Sequence, residues 1–152
     1  MFTHILIPTD GSDLSLHSAL AGIRLAKALN ARVTGFFAQQ EYPNPSFDEY
    51  TPMAFGPPDA FRAAEKASAQ KYLGVIENHA RSNGVPFLSM SSISNHPYSA
   101  IISAAKEAGC DLIFMASHGR RGISALLLGS ETSKVLTHCA IPVLVYRESE
   151  AN

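Results

Sequence analysis

Apolar and polar residues follow two periods along this chain, and the two periods alternate. Short, nearly continuous apolar runs indicate buried strands at residues 2–8, 31–38, 87–94, 111–116 and 141–146. Between these runs, apolar residues return every three or four positions, which predicts helices over 13–29, 59–83, 97–109 and 130–138. Ser12, Pro97 and Gly109 are residue types found at helix ends, and they support these limits.

Five strands in alternation with four helices predict an α/β, Rossmann-like fold: a parallel sheet covered by helices on both faces. Right-handed crossovers make the sheet doubly wound, with the predicted strand order 3-2-1-4-5. This order reverses between strands 1 and 4, and ligands of such sheets bind at the carboxyl ends of the strands beside the reversal. Those ends carry residues 8–12 and 116–119, so we expect a ligand site there.

The segment after strand 4 has the chemistry of a phosphate site. A glycine turn, a nine-residue excursion and a second glycine lead into the start of a helix. Glycine lets the backbone approach a ligand, and the free N–H groups of a helix start suit phosphate. Hydroxyls at that start serve either phosphate or helix capping, so a simple turn and cap stay open as alternatives. The candidate residues are Ser117, His118, Gly119, Arg120, Gly129, Ser130, Glu131 and Thr132.

Composition narrows the classes of function. A net charge of −1 gives no electrostatic case for binding nucleic acid, and no apolar run approaches the roughly 20 residues of a membrane helix. Cys110 and Cys139 are too few for a disulfide framework. The first residues lack the pattern of a secretion signal, so we expect a cytoplasmic protein.

The chain length predicts one domain over residues 1–147, followed by a short tail at 148–152. The segment 41–58 does not fit a compact module, because it is rich in proline and in aromatic residues. Long connections of this kind are either poorly ordered or act as lids and partner-contact loops. We expect a long flexible loop, and both interpretations of its role stay open.

Several other site types are not supported. A Walker loop needs a lysine after its second glycine, and no glycine here is followed by that pattern. A dinucleotide fingerprint would follow strand 1, where Asp10, Gly11 and Ser12 stand instead. The histidines show no metal-ligand spacing, and no nucleophile–base pair stands out, so the sequence does not favour a hydrolase.

Three segments resemble the universal stress protein family and occur in the family's order. Residues 5–12 are similar to its opening strand and loop, and residues 139–145 to its last strand. The segment from Ser117 to Ser130 resembles the signature G-x2-G-x9-G-(S/T) of its ATP-binding members. One position departs from the pattern, because Ala116 stands in place of the first glycine. Alanine is costly there if the backbone must be left-handed.

The resemblance implies a small cytoplasmic α/β protein, commonly a dimer, with ATP bound in some members and Mg²⁺ as a possible companion. It implies that Gly119 and Gly129 hold phosphates with their amides, that Ser130 and Thr132 add hydroxyls, and that Asp10 lies on the adenosine side. The remaining residues that it places at the site are Pro8, Thr9, Val33 in the strand lining the adenine, Ala116, Ser117, His118, Arg120 and Glu131.

We therefore expect an ATP-binding stress-response or signalling module whose nucleotide state controls contact with a protein partner. Two alternatives stay open: a nucleotide-free interaction protein of the same family, and a slow ATPase in which Asp10 and Mg²⁺ assist hydrolysis. The last strand, 141–146, is apolar and lies at the predicted sheet edge. Exposed apolar edges invite pairing, so we expect a homodimer through this strand.

Overall fold

The computed structural model describes residues 1–43, 55–119 and 127–148. Its strands are β1 (His4–Thr9), β2 (Arg32–Gln39), β3 (Phe87–Ile93), β4 (Leu112–Ala116) and β5 (Val143–Tyr146). Its helices are α1 (Asp13–Leu29), α2 (Pro58–Ser82), α3 (Pro97–Glu107) and α4 (Ser130–His138). Every element that the sequence predicts is present, with ends that move by one or two residues.

The strands form one parallel sheet in the order β3-β2-β1-β4-β5, which confirms the predicted topology. Helices α1 and α2 cover one face of the sheet, and α3 and α4 cover the other. The order reverses between β1 and β4, so the loops after these two strands leave the sheet side by side at its carboxyl edge.

Two apolar clusters, one on each face of the sheet, hold the three layers together. The side chains of β1 alternate between them: Ile5 and Ile7 pack under α1, whereas Leu6 packs with α3. All three side chains are fully buried. A strand that is buried on both faces has a continuous apolar sequence, and for this reason the hydrophobic pattern identifies β1 clearly.

Single residues determine where two of the strands begin. The Asp111 carboxylate accepts hydrogen bonds from the Thr3 N–H and hydroxyl, each at 2.8 Å, and from the His4 N–H at 2.9 Å. Burial would raise the pKa of Asp111, but these hydrogen bonds outweigh burial and lower it. At the other edge, β5 begins at Val143 rather than at the predicted Ile141, because Pro142 has no N–H to give to the ladder.

The flanks of the segment predicted to be a long loop pack on the start of α2. Tyr42 and Phe55 each meet the Phe61 ring edge-on, with ring centroids 5.5 and 6.3 Å apart. The Tyr42 hydroxyl donates a hydrogen bond to the Gly56 carbonyl at 3.0 Å. Residues 44–54, on which the flexible-loop and lid interpretations depend, lie outside the described residues.

His4 is a buried histidine at the start of β1, with only 3% of its surface exposed. Its Nε2 lies 2.8 Å from the Thr34 hydroxyl of β2. Burial, followed by the nearby Arg32 cation, lowers the pKa of His4, and these effects outweigh the opposing pull of Asp111. The folded state therefore holds His4 neutral, whereas the unfolded chain lets it take up a proton at its ordinary pKa.

We predict that stability falls on acidification through His4. Its contribution is complete above pH 6.5, the ordinary pKa of histidine, and is lost as the pH falls from there toward the lowered pKa of the folded state. Urea unfolding of the wild type and His4→Gln from pH 7.5 to 5 measures this. The wild type should lose more stability than the variant over that range, and parallel curves would contradict the assignment.

Candidate functional site

The candidate site lies where the β1–α1 loop and the chain after β4 meet at the carboxyl edge of the sheet. Asp10 follows β1, and its Oδ1 accepts hydrogen bonds from the Ser12 N–H at 3.0 Å and hydroxyl at 2.6 Å. Ser12 also caps α1 by accepting from the Ser15 N–H at 3.2 Å. Thr9 accepts from the Gly11 N–H at 3.1 Å, and Gly11 has a φ of 79°. These bonds hold the Asp10 carboxylate in one position.

Gly119 touches this loop from the other side. A Cβ built at Gly119 would collide with Oδ2 of Asp10. Its φ is not positive, so glycine is needed here for close approach rather than for a left-handed backbone. The contact brings the two loops together at the place where the strand order reverses.

Gly129 closes the same junction at the start of α4. Its N–H donates to the Ser117 carbonyl at 2.8 Å. A Cβ at Gly129 would come within 2.9 Å of the His118 Cα, so a larger residue would push the two chain segments apart. Gly129 has a φ of −61° and a ψ of 152°, and it is the N-cap of α4. Both glycines therefore serve close packing between loops.

Ala116, where the family signature has its first glycine, ends β4 in ordinary strand conformation. The expected cost of a left-handed alanine does not arise. The Ala116 carbonyl accepts a hydrogen bond from the Thr132 hydroxyl at 3.0 Å, and Thr132 is buried. Thr132 thus ties α4 to β4, and the structure does not offer its hydroxyl to a ligand as the sequence suggested.

Among the described residues, no side chain caps the amino end of α4, whereas Ser12 caps α1. Ser130, the first helical residue, is exposed. The positive end of the helix dipole lies at Gly129, beside the junction formed by the two glycines. This arrangement suits an anion such as phosphate.

Glu131 stands in the same turn, but its carboxylate is directed to the other helix of this face. Oε2 accepts from the Tyr98 N–H in the first turn of α3 at 2.8 Å, and Oε1 pairs with Lys134 at 3.1 Å. The Glu131 carboxylate thereby caps α3, and its negative charge is directed away from a phosphate at the start of α4. We assign Glu131 a positioning role.

The structure does not bring all predicted residues together. Val33 pairs in register with Ile5, four positions before the end of β1 at Thr9, and its side chain is buried in the core. Pro8 and Ser117 are also buried, and the Ser117 hydroxyl lies 3.2 Å from Nδ1 of His118. Arg120 lies outside the described residues.

Two aromatic residues at this edge escaped the sequence analysis. Phe37 is the register partner of Thr9 and stacks on Tyr72 of α2, with ring centroids 5.9 Å apart. A Cβ at Gly11 would collide with the Tyr72 ring, which therefore lies directly against the β1–α1 loop. The register of β2 with β1 would have identified Phe37 as a residue at this edge. Nothing in the sequence links Tyr72, on a distant helix, to Gly11.

Two other kinds of site are absent from the described part of the chain. It contains no group of three or more His, Cys, Asp or Glu residues placed to hold a metal ion. None of its helices is long and apolar enough to cross a bilayer. Grooves of about 340 and 330 Å³ lie between α2 and β3 and at the amino edge of the sheet, away from the glycine junction. We take the glycine junction as the candidate site because of the α4 start and the reversal of strand order, and not because of cavity size.

Comparison with known sequences identifies one family. The model of the universal stress protein family matches residues 1–147. Universal stress protein MJ0531 of Methanocaldococcus jannaschii is 29% identical over 97% of this chain and 84% of its own length. A universal stress protein of Thermus aquaticus is 30% identical over 97% of this chain and 100% of its own length.

Solved structures share the fold. Hypothetical protein MJ0577 superposes with a TM-score of 0.78 at 23% identity, covering 99% of both chains. A universal stress protein in complex with cAMP gives 0.70 at 23% identity over 97% of this chain and 99% of that one. An Arabidopsis thaliana universal stress protein with AMP bound gives 0.68 at 14% identity, over 97% and 93% respectively.

We predict that Gly119→Ala destabilises the protein by about 1–3 kcal/mol, because its methyl group meets the Asp10 carboxylate. Adding Asp10→Ala should recover part of this loss, so the two substitutions will be non-additive in urea unfolding. Gly74→Ala in α2 is the matched control. A Cβ there meets nothing within 4 Å, so this variant should gain up to about 1 kcal/mol. Strict additivity of the first pair would contradict the contact.

Proposed function

The chain belongs to the universal stress protein family, and from that premise we propose that it binds an adenine nucleotide at the junction of β1, β4 and α4. One observation carries this proposal: no side chain of the described residues caps the first turn of α4, and this turn begins beside two glycines, Gly119 and Gly129, where a Cβ would collide with the neighbouring loop. An open helix start at the reversal of strand order combines an anion site with the place where sheets of this kind bind ligands.

In this proposal the phosphates lie on the first turn of α4. The amides of Gly119 and Ser130 and the Ser130 hydroxyl bind phosphate oxygens, while Gly129 keeps the two loops in contact. Asp10 is held by Ser12 with its carboxylate at the β1 end of the junction, where it accepts hydrogen bonds from the ribose hydroxyls. The adenine lies at the end of β2, over residues 37–39 rather than over Val33.

ATP is the nucleotide that we propose, with Mg²⁺ bound through its phosphates. Two related structures bear cAMP and AMP in their names, which supports an adenine nucleotide as the class of ligand. The described residues around Asp10 supply no further acidic ligand cluster, so the metal would depend on the phosphates for most of its ligands. Asp10 is the residue that would assist slow hydrolysis of ATP, so Asp10→Ala would abolish that activity.

We propose that the nucleotide acts as a signal in the cytoplasm by changing the surface offered to a protein partner. We also propose one domain over residues 1–147, followed by a tail at 148–152; the family model matches residues 1–147. We further propose that the edge strand β5 forms a homodimer. Leu144 of β5 is 39% exposed, and β5 has no further strand beside it among the described residues.

Replacement of Ser130 tests the phosphate site without disturbing the helix. Proline suits the first position of a helix, and the Gly129 ψ of 152° is compatible with a following proline. Ser130→Ala is the matched control, because it removes the hydroxyl and keeps the N–H. Relative to Ser130→Ala, Ser130→Pro should leave the melting temperature unchanged and weaken Mg·ATP binding about 10–100-fold, because it also deletes one N–H bond to a charged oxygen.

The measurement is calorimetric titration of nucleotide-stripped protein. Equal affinity of the wild type and Ser130→Pro would exclude the first turn of α4 as the phosphate site. No binding of ATP, AMP or cAMP by folded wild type would favour the nucleotide-free interaction protein of the same family.

Sedimentation tests the β5 dimer. At a protein concentration of about 5 μM, the wild type should sediment as a dimer. Leu144→Lys should sediment as a monomer, because two lysines would face each other across the paired strands. Val75→Lys is the control: Val75 is 46% exposed on α2, away from β5, and this variant should stay dimeric. A monomeric wild type would contradict the proposal.

A further inference from the structure

The second sheet edge, β3, lacks the features that usually protect an edge from pairing. Its seven residues are in continuous register with β2, without a bulge, and contain no charge and no proline. Leu88 and Ile93 are 61% and 57% exposed. No other described strand pairs with its outer side. Natural edges normally carry lysine, proline or a bulge, so β3 has a backbone available for one more strand.

A groove runs along this edge on the side of α2. It has a volume of about 340 Å³, and its walls include Lys66, Leu73, Gly74 and Glu77 of α2 and Ser89 of β3. Gly74 lies inside the helix, where glycine costs about 1 kcal/mol relative to alanine. No atom lies within 4 Å of a Cβ built there, so internal packing does not require this glycine. The helix surface above β3 is thus left open.

We propose that β3 pairs with β3 of a second copy of this chain, antiparallel about a two-fold axis at Met90. The axis places Met90 opposite itself, Leu88 opposite Ser92, and Phe87 opposite Ile93. The absence of any charge on the strand means that no like charges meet in this register. The exposed Leu88 and Ile93 both become part of the contact.

Strand spacing places the helices in packing contact. Helix α2 lies over both β2 and β3. Strands are about 4.8 Å apart, so pairing of the two β3 strands sets the two α2 axes about 10 Å apart. Packed helices are separated by about 8–10 Å. The groove beside β3 therefore becomes the contact between two α2 helices, and Gly74 lets them approach.

The charges of α2 are complementary in this arrangement. Leu73 reaches over Gly35, the register partner of Ser89, and Tyr72 stacks on Phe37, so the middle of α2 is level with the proposed axis. Lys66 and Glu77 lie on opposite sides of that level. The two-fold axis brings Lys66 of each copy toward Glu77 of the other, and exposed pairs of this kind fix register more than they add affinity.

This interface is separate from the proposed β5 dimer and from the nucleotide site, so it stands or falls independently of both. A strand with three serines among its seven residues makes a weak contact, with a dissociation constant of about 10–100 μM. A chain that uses both edges links copies in a row, and its mass then rises with concentration beyond that of a dimer.

Cysteine cross-linking tests the register. In a background with Cys139→Ser, Met90→Cys should form a disulfide-linked dimer on oxidation, because the residue faces itself across the axis. Leu88→Cys alone should not, but an equimolar mixture of Leu88→Cys and Ser92→Cys should. Cys110 is buried and burial raises its pKa to about 11, so it stays unreactive. Failure of the Met90→Cys dimer together with failure of the mixture overturns the proposed pairing.

Charge exchange tests the interface without altering β3. In the Leu144→Lys background, sedimentation at about 200 μM should show dimers. Lys66→Glu and Glu77→Lys should each raise the dissociation constant about tenfold, and the double variant should recover most of this loss. Glu77 also pairs with Arg81 of its own helix at 3.0 Å, so Glu77→Ala is the control for loss of that pair alone. A monomer in the Leu144→Lys background, or single variants that change nothing, overturns the proposal. Circular dichroism confirms that each variant is folded.

Discussion

The contact between two loops at the reversal of strand order is the constraint on which the site depends. Gly119 lies so close to Asp10 that no side chain fits between them, and a Cβ at Gly129 would come within 2.9 Å of the His118 Cα. These approaches set the direction in which α4 leaves the junction. The start of α4, which no described side chain caps, and the Asp10 carboxylate therefore lie at the same junction. Close packing of the two loops therefore places an anion site and a carboxylate side by side, without any unusual backbone conformation.

The surrounding bonds keep this junction from relaxing. Thr132 joins α4 to the end of β4, Glu131 joins α4 to α3, and Ser12 fixes both the Asp10 carboxylate and the start of α1. Each of these polar groups is engaged within the protein, so the groups left for a ligand are mainly backbone N–H groups. A site built from backbone amides tolerates Ala116 in place of glycine, since that position is ordinary strand.

Much of the fold follows from the sequence, because strands buried on both faces and amphipathic helices have different periods. The strand order and the loops after β1 and β4 follow from that alternation and from crossover handedness. Individual side-chain roles do not. The family resemblance placed Thr132, Glu131 and Val33 at the ligand. In the structure Thr132 and Glu131 hydrogen-bond to other parts of the protein, and Val33 pairs with Ile5 inside the sheet. Tyr72 reached the site from a helix distant in sequence, through packing alone.

The measurement that tests the central claim most directly is amide NMR of ¹⁵N-labelled protein titrated with AMP. If the open first turn of α4 binds phosphate, the Ser130 and Glu131 amides should shift and saturate together with Gly119, because a phosphate would accept hydrogen bonds at this junction. Saturable shifts confined to the groove between α2 and β3, or to the amino edge of the sheet, would contradict the account.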